Sequence, residues 1–151
     1  MKRASTRAAV LAGSPDEVEA AFYEALQAAD VDRLMACWAD EEEVVCVHPG
    51  GGARVVGVHA IRAMFMTMLE RGGLNVKPGE VVRLTGLTSA VHSVIEHVVV
   101  NLPDGPREAL VHATNVFQKL PQGWRLVAHH ASAATPGDNG AQPEQRAHVL
   151  H

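Results

Sequence analysis

The residues of this 151-residue chain best suited to chemistry are its nine histidines and the few carboxylates and amides that share a strand pattern with them. Side chains in a strand alternate between two faces, which sorts these groups into sets. Over 89–102, His92, Val94, Glu96, Val98 and Val100 fall on one face, with Ser93, Ile95, His97 and Val99 on the other. Over 108–120, Ala113, Asn115 and Phe117 oppose His112, Thr114, Val116 and Gln118. Over 124–133, Arg125, Val127, His129 and Ala131 oppose Trp124, Leu126, Ala128 and His130. A partly desolvated carboxylate has a raised pKa, and a neighbouring imidazole favours the charged pair; either state suits proton transfer near neutral pH. A neutral amide such as that of Asn115 can donate to a carbonyl oxygen that becomes an enolate.

Other chemistries find less support. His48, Glu96 and His129 have the residue types of a two-histidine, one-carboxylate metal site. No HxH, HxxxH or HExxH spacing accompanies them, and no metal is expected. Cys37 and Cys46 form no CxxC and read as small buried hydrophobes, Cys37 beside Trp38 in a packed helix. There is no GxSxG, and the Pro49-Gly50-Gly51-Gly52 run follows neither GxGxxG nor phosphate-loop spacing. No cofactor is expected.

The elements that must position these groups follow from local signals. Ser14-Pro15-Asp16-Glu17 is a capping box with proline at the first helical position. Val18, Phe22, Ala25, Leu26 and Ala29 continue it at helical spacing. Asp30 caps a second, short helix carrying Val31, Leu34, Met35 and Trp38, ended by the charge run Glu41–Glu43. Val44–His48 is β-branched and closed by the glycine-rich turn. A third helix is expected from His59 to about Arg71, with Ile61, Met64, Phe65, Met68 and Leu69 on one side and Gly72-Gly73 as its stop. Strands are expected over 76–87, with a break near Pro78-Gly79, then 89–102, 108–120 and 124–133, the last three joined by turns at Pro103–Pro106 and Pro121–Gly123. Helices segregated from an antiparallel sheet define an α+β fold, here a strongly curved sheet wrapped round three N-terminal helices as a cone.

Hydrophobic residues make up 47% and charged residues 20%, which suits a single globular core, expected over 14–134. Lys plus Arg total 13 against 17 Asp plus Glu, without a basic cluster, so a nucleic-acid backbone is not an expected partner. No apolar run reaches a membrane-span length, and no membrane partner is expected. Residues 1–13 read as a disordered leader of a cytoplasmic protein, since the apolar stretch Ala8–Ala12 is shorter than a secretory core and Asp16 and Glu17 follow at once. Residues 135–151, rich in Gly, Pro, Asn and Gln, read as a flexible tail.

Several stretches together resemble the nuclear transport factor 2-like (NTF2-like) superfamily, in particular its SnoaL-like and ketosteroid-isomerase-like bacterial members. They are Phe22-Tyr23-Glu24-Ala25-Leu26, Asp30–Leu34 through Trp38, Val47-His48-Pro49-Gly50-Gly51, Gly57 before Ile61, Ala113-Thr114-Asn115-Val116-Phe117, and Gly123–Val127 through His129-His130-Ala131-Ser132. The last stretch also resembles the closing strand of the association domain of calcium/calmodulin-dependent kinase II. The resemblance implies a cone-shaped fold with an interior pocket, usually as a homodimer, and a superfold that hosts isomerases, cyclases, dehydratases and binding modules alike. The steroid isomerase constellation, a carboxylate base facing a Tyr and a protonated Asp, is incomplete: Tyr23 is the only tyrosine and no aspartate falls inside a long strand. Aligning on Trp124 puts Asn115 and Ala131 where the kinase domain has arginines.

That alignment places Asn115 and Ala131 inward; period two adds His129, and counting back from the turn at Asp104 adds Glu96, unless a bulge intervenes. The expected catalytic set is therefore Glu96, His129 and Asn115. Tyr23, Trp38, His48, Met64 and Phe117 are the expected ligand contacts, Trp38 and His48 at the mouth. Six of them have a plain structural reading beside the functional one: a self-satisfied buried pair for Glu96 and His129, a backbone hydrogen bond for Asn115, a turn histidine for His48, core packing for Trp38 and Met64. The expected ligand is a small apolar carbonyl compound. The expected partner is a second copy of the chain on the outer sheet face, where His97, His112 and His130 lie.

Overall fold

The computed structural model describes residues 13–49 and 52–134. The expected tail, all but the last residue of the expected leader, and Gly50 and Gly51 of the turn lie outside these residues.

Helix α1 (Pro15–Ala28) begins where its capping box puts it, the Ser14 Oγ accepting from the Glu17 N–H at 3.2 Å. It ends at Ala29, which adopts a left-handed conformation (φ 56°) and hands the chain to Asp30. The Asp30 carboxylate accepts from the Arg33 N–H at 3.1 Å and caps α2 (Val31–Ala36). This helix stops short of Trp38 because the backbone there is claimed by the sheet: the Leu126 N–H donates to the Cys37 carbonyl at 2.7 Å, and the Ala39 N–H to the Leu126 carbonyl at 2.9 Å. Helix α3 (Val58–Met68) buries Ile61 and Phe65, and Gly72 (φ 127°) turns the chain out of the following turn.

Six strands follow the order β2-β1-β6-β5-β4-β3, with β1 Val45–Val47, β2 Val55–Val56, β3 Val76–Thr85, β4 Ser89–Leu102, β5 Gly105–Leu120 and β6 Gly123–Ala133. The architecture is the expected α+β arrangement of N-terminal helices on a curved open sheet. Strand β2 was not among the expected elements, two residues being too short to carry an alternation, and β1 runs parallel to β6 where an all-antiparallel sheet was expected. Gly105 and Gly123 follow the two-residue loops at 103–104 and 121–122, with φ of 123° and 116° that a side chain would resist. The register shift between Pro78 and Val81 is the break anticipated near Pro78-Gly79.

A second shift corrects the face assignment of β6. Pairing steps from Val116 with Ala128 to Phe117 with Leu126, leaving Val127 as an extra residue. Strict alternation puts Leu126 and His129 on opposite faces; across this bulge both are buried. On β4 and β5 the alternation holds, with Ala90, His92, Val94 and Glu96, and Val111, Ala113, Asn115 and Phe117, all buried.

The register aligns one rung across the sheet: Arg83 of β3 opposite His92 of β4, His92 opposite Asn115 of β5, Asn115 opposite His129 of β6, and His129 beside Cys46 of β1. Phe22 on α1, 1% exposed, packs over the middle of this layer. Its ring lies 5.1 Å from Tyr23, 5.2 Å from His129, 6.4 Å from Trp38 and 6.5 Å from Phe65, centroid to centroid. Truncating so central a ring leaves a cavity that rigid strands cannot close. Phe22→Ala is expected to cost roughly 3–5 kcal/mol, and Phe22→Leu much less. A Phe22→Ala melting temperature within a few degrees of wild type would show that the ring is not central.

Candidate functional site

Helix α1 turns three polar side chains toward the sheet from one face, Glu19 and Tyr23 buried and Asp16 at the exposed edge. Asp16, Glu19 and Tyr23 recur at spacings of three and four, so they line up over the sheet. The Tyr23 hydroxyl donates to Glu96 Oε2 at 2.7 Å. The Asn115 amide nitrogen donates to the Tyr23 hydroxyl at 3.2 Å and to Glu19 Oε2 at 3.0 Å. With both its N–H groups used, Asn115 presents Oδ1 to His129 Nδ1, 2.5 Å away. An amide oxygen only accepts, so His129 carries its proton on Nδ1 and keeps its lone pair on Nε2.

The donors therefore all point one way, from His129 through Asn115 and Tyr23 to Glu96, with a branch to Glu19. Each of these five residues is at most 5% exposed. In such surroundings each hydrogen bond polarises the next. Burial raises the Glu96 carboxyl above the ordinary carboxylate range; the Tyr23 hydrogen bond pulls it back, and the charge of Glu19 pushes it up again. Burial, then the charge of Glu96, drives the Tyr23 phenol far up, so it stays protonated and acts as a donor. Burial lowers His129 to about 3, helped by the neighbouring His48 and His130. His129 is thus neutral through the working range.

Glu96, Asn115 and His129 are brought into one network, but not as a carboxylate–imidazole pair. Tyr23 and Asn115 stand between Glu96 and His129, and the polar atoms of Asn115 are all engaged. Trp38 is 3% exposed, and its Nε1 has no hydrogen-bond partner. His48 lies 5.9 Å from the His129 ring and 5.3 Å from Phe65, with its Nε2 3.6 Å from Cys46 Sγ; burial lowers its pKa. Phe117 packs its ring against His92 at 4.9 Å, and Met64 is half-buried against the core from α3. Burial pushes the Cys37 and Cys46 thiols to about 12, which leaves both as poor nucleophiles near neutral pH.

Glu19 and His92 escaped the sequence reading. The signals were present: Glu19 is one helical turn before Tyr23, and His92 shares the alternating set of Glu96. A glutamate in a helix is ordinarily a solvent-facing residue, which hid the first.

A family profile described as SnoaL-like domain matches residues 16–136, and the chain belongs to that family. Among solved structures, it is similar to a Thiobacillus denitrificans protein provisionally described as a calcium/calmodulin-dependent protein kinase type II association domain. The two share 32% identity over 81% of this chain and 96% of that one, with a TM-score of 0.72. A provisional dehydratase of the NTF2-like family from Streptomyces avermitilis shares 26% identity over 78% and 91% of the two chains, TM-score 0.68. The calcium/calmodulin-dependent kinase II hub of S. rosetta shares the fold at 21% identity, over 81% and 98%, TM-score 0.67. No curated protein matches the chain.

Because the folded state holds His129 neutral down to about pH 3 while the unfolded chain takes up a proton near 6.5, stability is full above about pH 6.5. It is lost progressively as pH falls through that window. Between pH 6.5 and 4.5 this amounts to roughly 2–3 kcal/mol. Thermal melts across that range are expected to fall less steeply for His129→Gln than for wild type. Parallel profiles would mean that His129 is not held neutral.

Proposed function

We propose that this domain is a cofactor-free proton-transfer enzyme of the isomerase, dehydratase or cyclase type, acting on a small apolar carbonyl compound, with Glu96 as the general base. The observation that carries this reading is the Tyr23–Glu96 hydrogen bond inside a buried network. It fixes one carboxylate oxygen and leaves the other to accept a proton, while burial tunes the group toward neutral pH. His129 is too weak a base for this task and acts by holding Asn115, which in turn holds Tyr23. The likeness to the Streptomyces avermitilis protein supports the same reaction class.

The test is deuterium incorporation into a panel of small ketones and β-hydroxy carbonyl compounds, followed by NMR. Glu96→Gln is expected to slow exchange by about a hundredfold, within the range of a lost general base, and His129→Ala by more than about tenfold. The acid limb of the rate profile should lie above the ordinary carboxylate pKa. In Tyr23→Phe it should move higher still, because the lost hydrogen bond is the one that lowers the Glu96 pKa. Full exchange in both Glu96→Gln and His129→Ala would end the assignment. Ligand-induced thermal stabilisation without turnover would favour the second reading, a binding or oligomerising module, which the Thiobacillus denitrificans likeness supports.

We further propose that two copies associate through the outer sheet face. Leu84, Val91 and Val116 form a row there across β3, β4 and β5, and Leu84 and Val82 are 74% and 63% exposed. Aliphatic side chains this exposed on adjoining strands favour a protein partner. Sedimentation is expected to show a dimer for wild type and a monomer for Leu84→Asp combined with Val91→Lys. A wild-type monomer would remove the proposal.

A further inference from the structure

The polar rung continues past the acid–base network to a second cluster near the start of α1. Glu19 Oε2 lies 3.0 Å from His92 Nδ1, and Asp16 Oδ1 lies 3.9 Å from His92 Nε2. His92 is 1% exposed, yet neither ring nitrogen makes a hydrogen bond. The Glu19 oxygen is close but off the line along which a ring N–H would point. A buried imidazole left in this state is costly, unless another group completes its surroundings. Two donor atoms about 3 Å apart, neither bonded to the other, are what two ligands at right angles on one metal ion present, given metal–ligand bonds of about 2.1 Å. One ion takes only one of the two ring nitrogens, and one donor atom from each of Asp16, Glu19 and His92 falls within 4.8 Å of the others.

We propose that Asp16, Glu19 and His92 bind a divalent first-row transition-metal ion of the zinc class. One imidazole with two carboxylates selects such ions over magnesium or calcium, which prefer all-oxygen shells. The surroundings fit the assignment. The Phe117 ring packs against the imidazole at 4.9 Å and fixes its orientation. The Asn115 amide donates to the Glu19 oxygen that faces the site, as outer-shell groups do for ligating carboxylates. The Asp16 side chain is 60% exposed, so the ion has a way in and space for water ligands. Arg83 pairs with Asp16 at 2.8 Å from a side chain 48% exposed, and so acts as a displaceable cation that competes with the metal. The site shares Glu19, and the Asn115 hydrogen bond to it, with the acid–base network, but metal binding does not require that network to be catalytic.

The test uses the full chain, stripped with chelator, then titrated with Zn2+ by calorimetry and with Co2+ by visible absorption. Wild type is expected to show one saturable site and a melting temperature that rises with Zn2+. Asp16→Asn, at an exposed position that does not threaten folding, is expected to weaken the affinity at least ~tenfold, and Glu19→Gln likewise. Arg83→Gln is expected to tighten it. Absence of a saturable site in wild type overturns the proposal. So does a site whose affinity is unchanged in both Asp16→Asn and Glu19→Gln, since other histidines would then hold the ion.

Discussion

The interior is organised around one amide. Asn115 has no charge, yet it gives two hydrogen bonds and receives one from groups on α1 and β6, and it sits at the centre of the rung that crosses the sheet. Three of its neighbours are titratable groups that water would otherwise solvate. Removing them from water is tolerable only if each finds a partner, and Asn115 partners Glu19, Tyr23 and His129 at once. An aspartate there would set a second negative charge against Glu19 and could donate to neither neighbour when ionised. An apolar residue would take a partner from each of three polar groups in a dry core, and Tyr23 alone would keep another side-chain hydrogen bond, to Glu96. The chemistry available at Glu96 thus depends on a residue that takes no part in proton exchange itself.

That dependence explains how one helix and one sheet divide the labour. Helix α1 carries acidic and phenolic groups on a single face, and the strands carry the imidazoles and the amide. Neither element alone satisfies its buried polar atoms. Docking of α1 on the sheet therefore combines apolar packing around Phe22 with the closure of a hydrogen-bond chain, and the two must be achieved in the same register. A slip of one residue in β4 would exchange His92 and Glu96 for Ser93 and His97, and the helix would face the wrong groups.

Much of the scaffold was legible because its signals are local. Ser14 and Glu17 announce the first helix, Asp30 the second, and the proline- and glycine-bearing turns mark both long hairpins. Glu96, Asn115 and His129 could be placed inward by alternation together with a family resemblance, and they do meet in one network. What could not be read was who pairs with whom. The expected Glu96–His129 contact gave way to Tyr23 and Asn115, because the distance between strands is set by the sheet and the gap is filled from the helix above. The two-residue β2 and the extra residue at Val127 were invisible for a related reason: both arise from pairing with distant strands, not from any property of the segment itself.

The irregularity at Val127 has a consequence for how the chain tolerates changes in length. The extra residue lies two positions before a pair of consecutive histidines, of which only His129 faces the interior. Excising Val127 would regularise the pairing and leave the following stretch where it is, since Leu126, Ala128 and His129 already lie opposite the successive residues Phe117, Val116 and Asn115. The core would receive His129 with or without the extra residue. The bulge thus marks a place in β6 where the chain can shorten by one residue without turning this buried imidazole out to water.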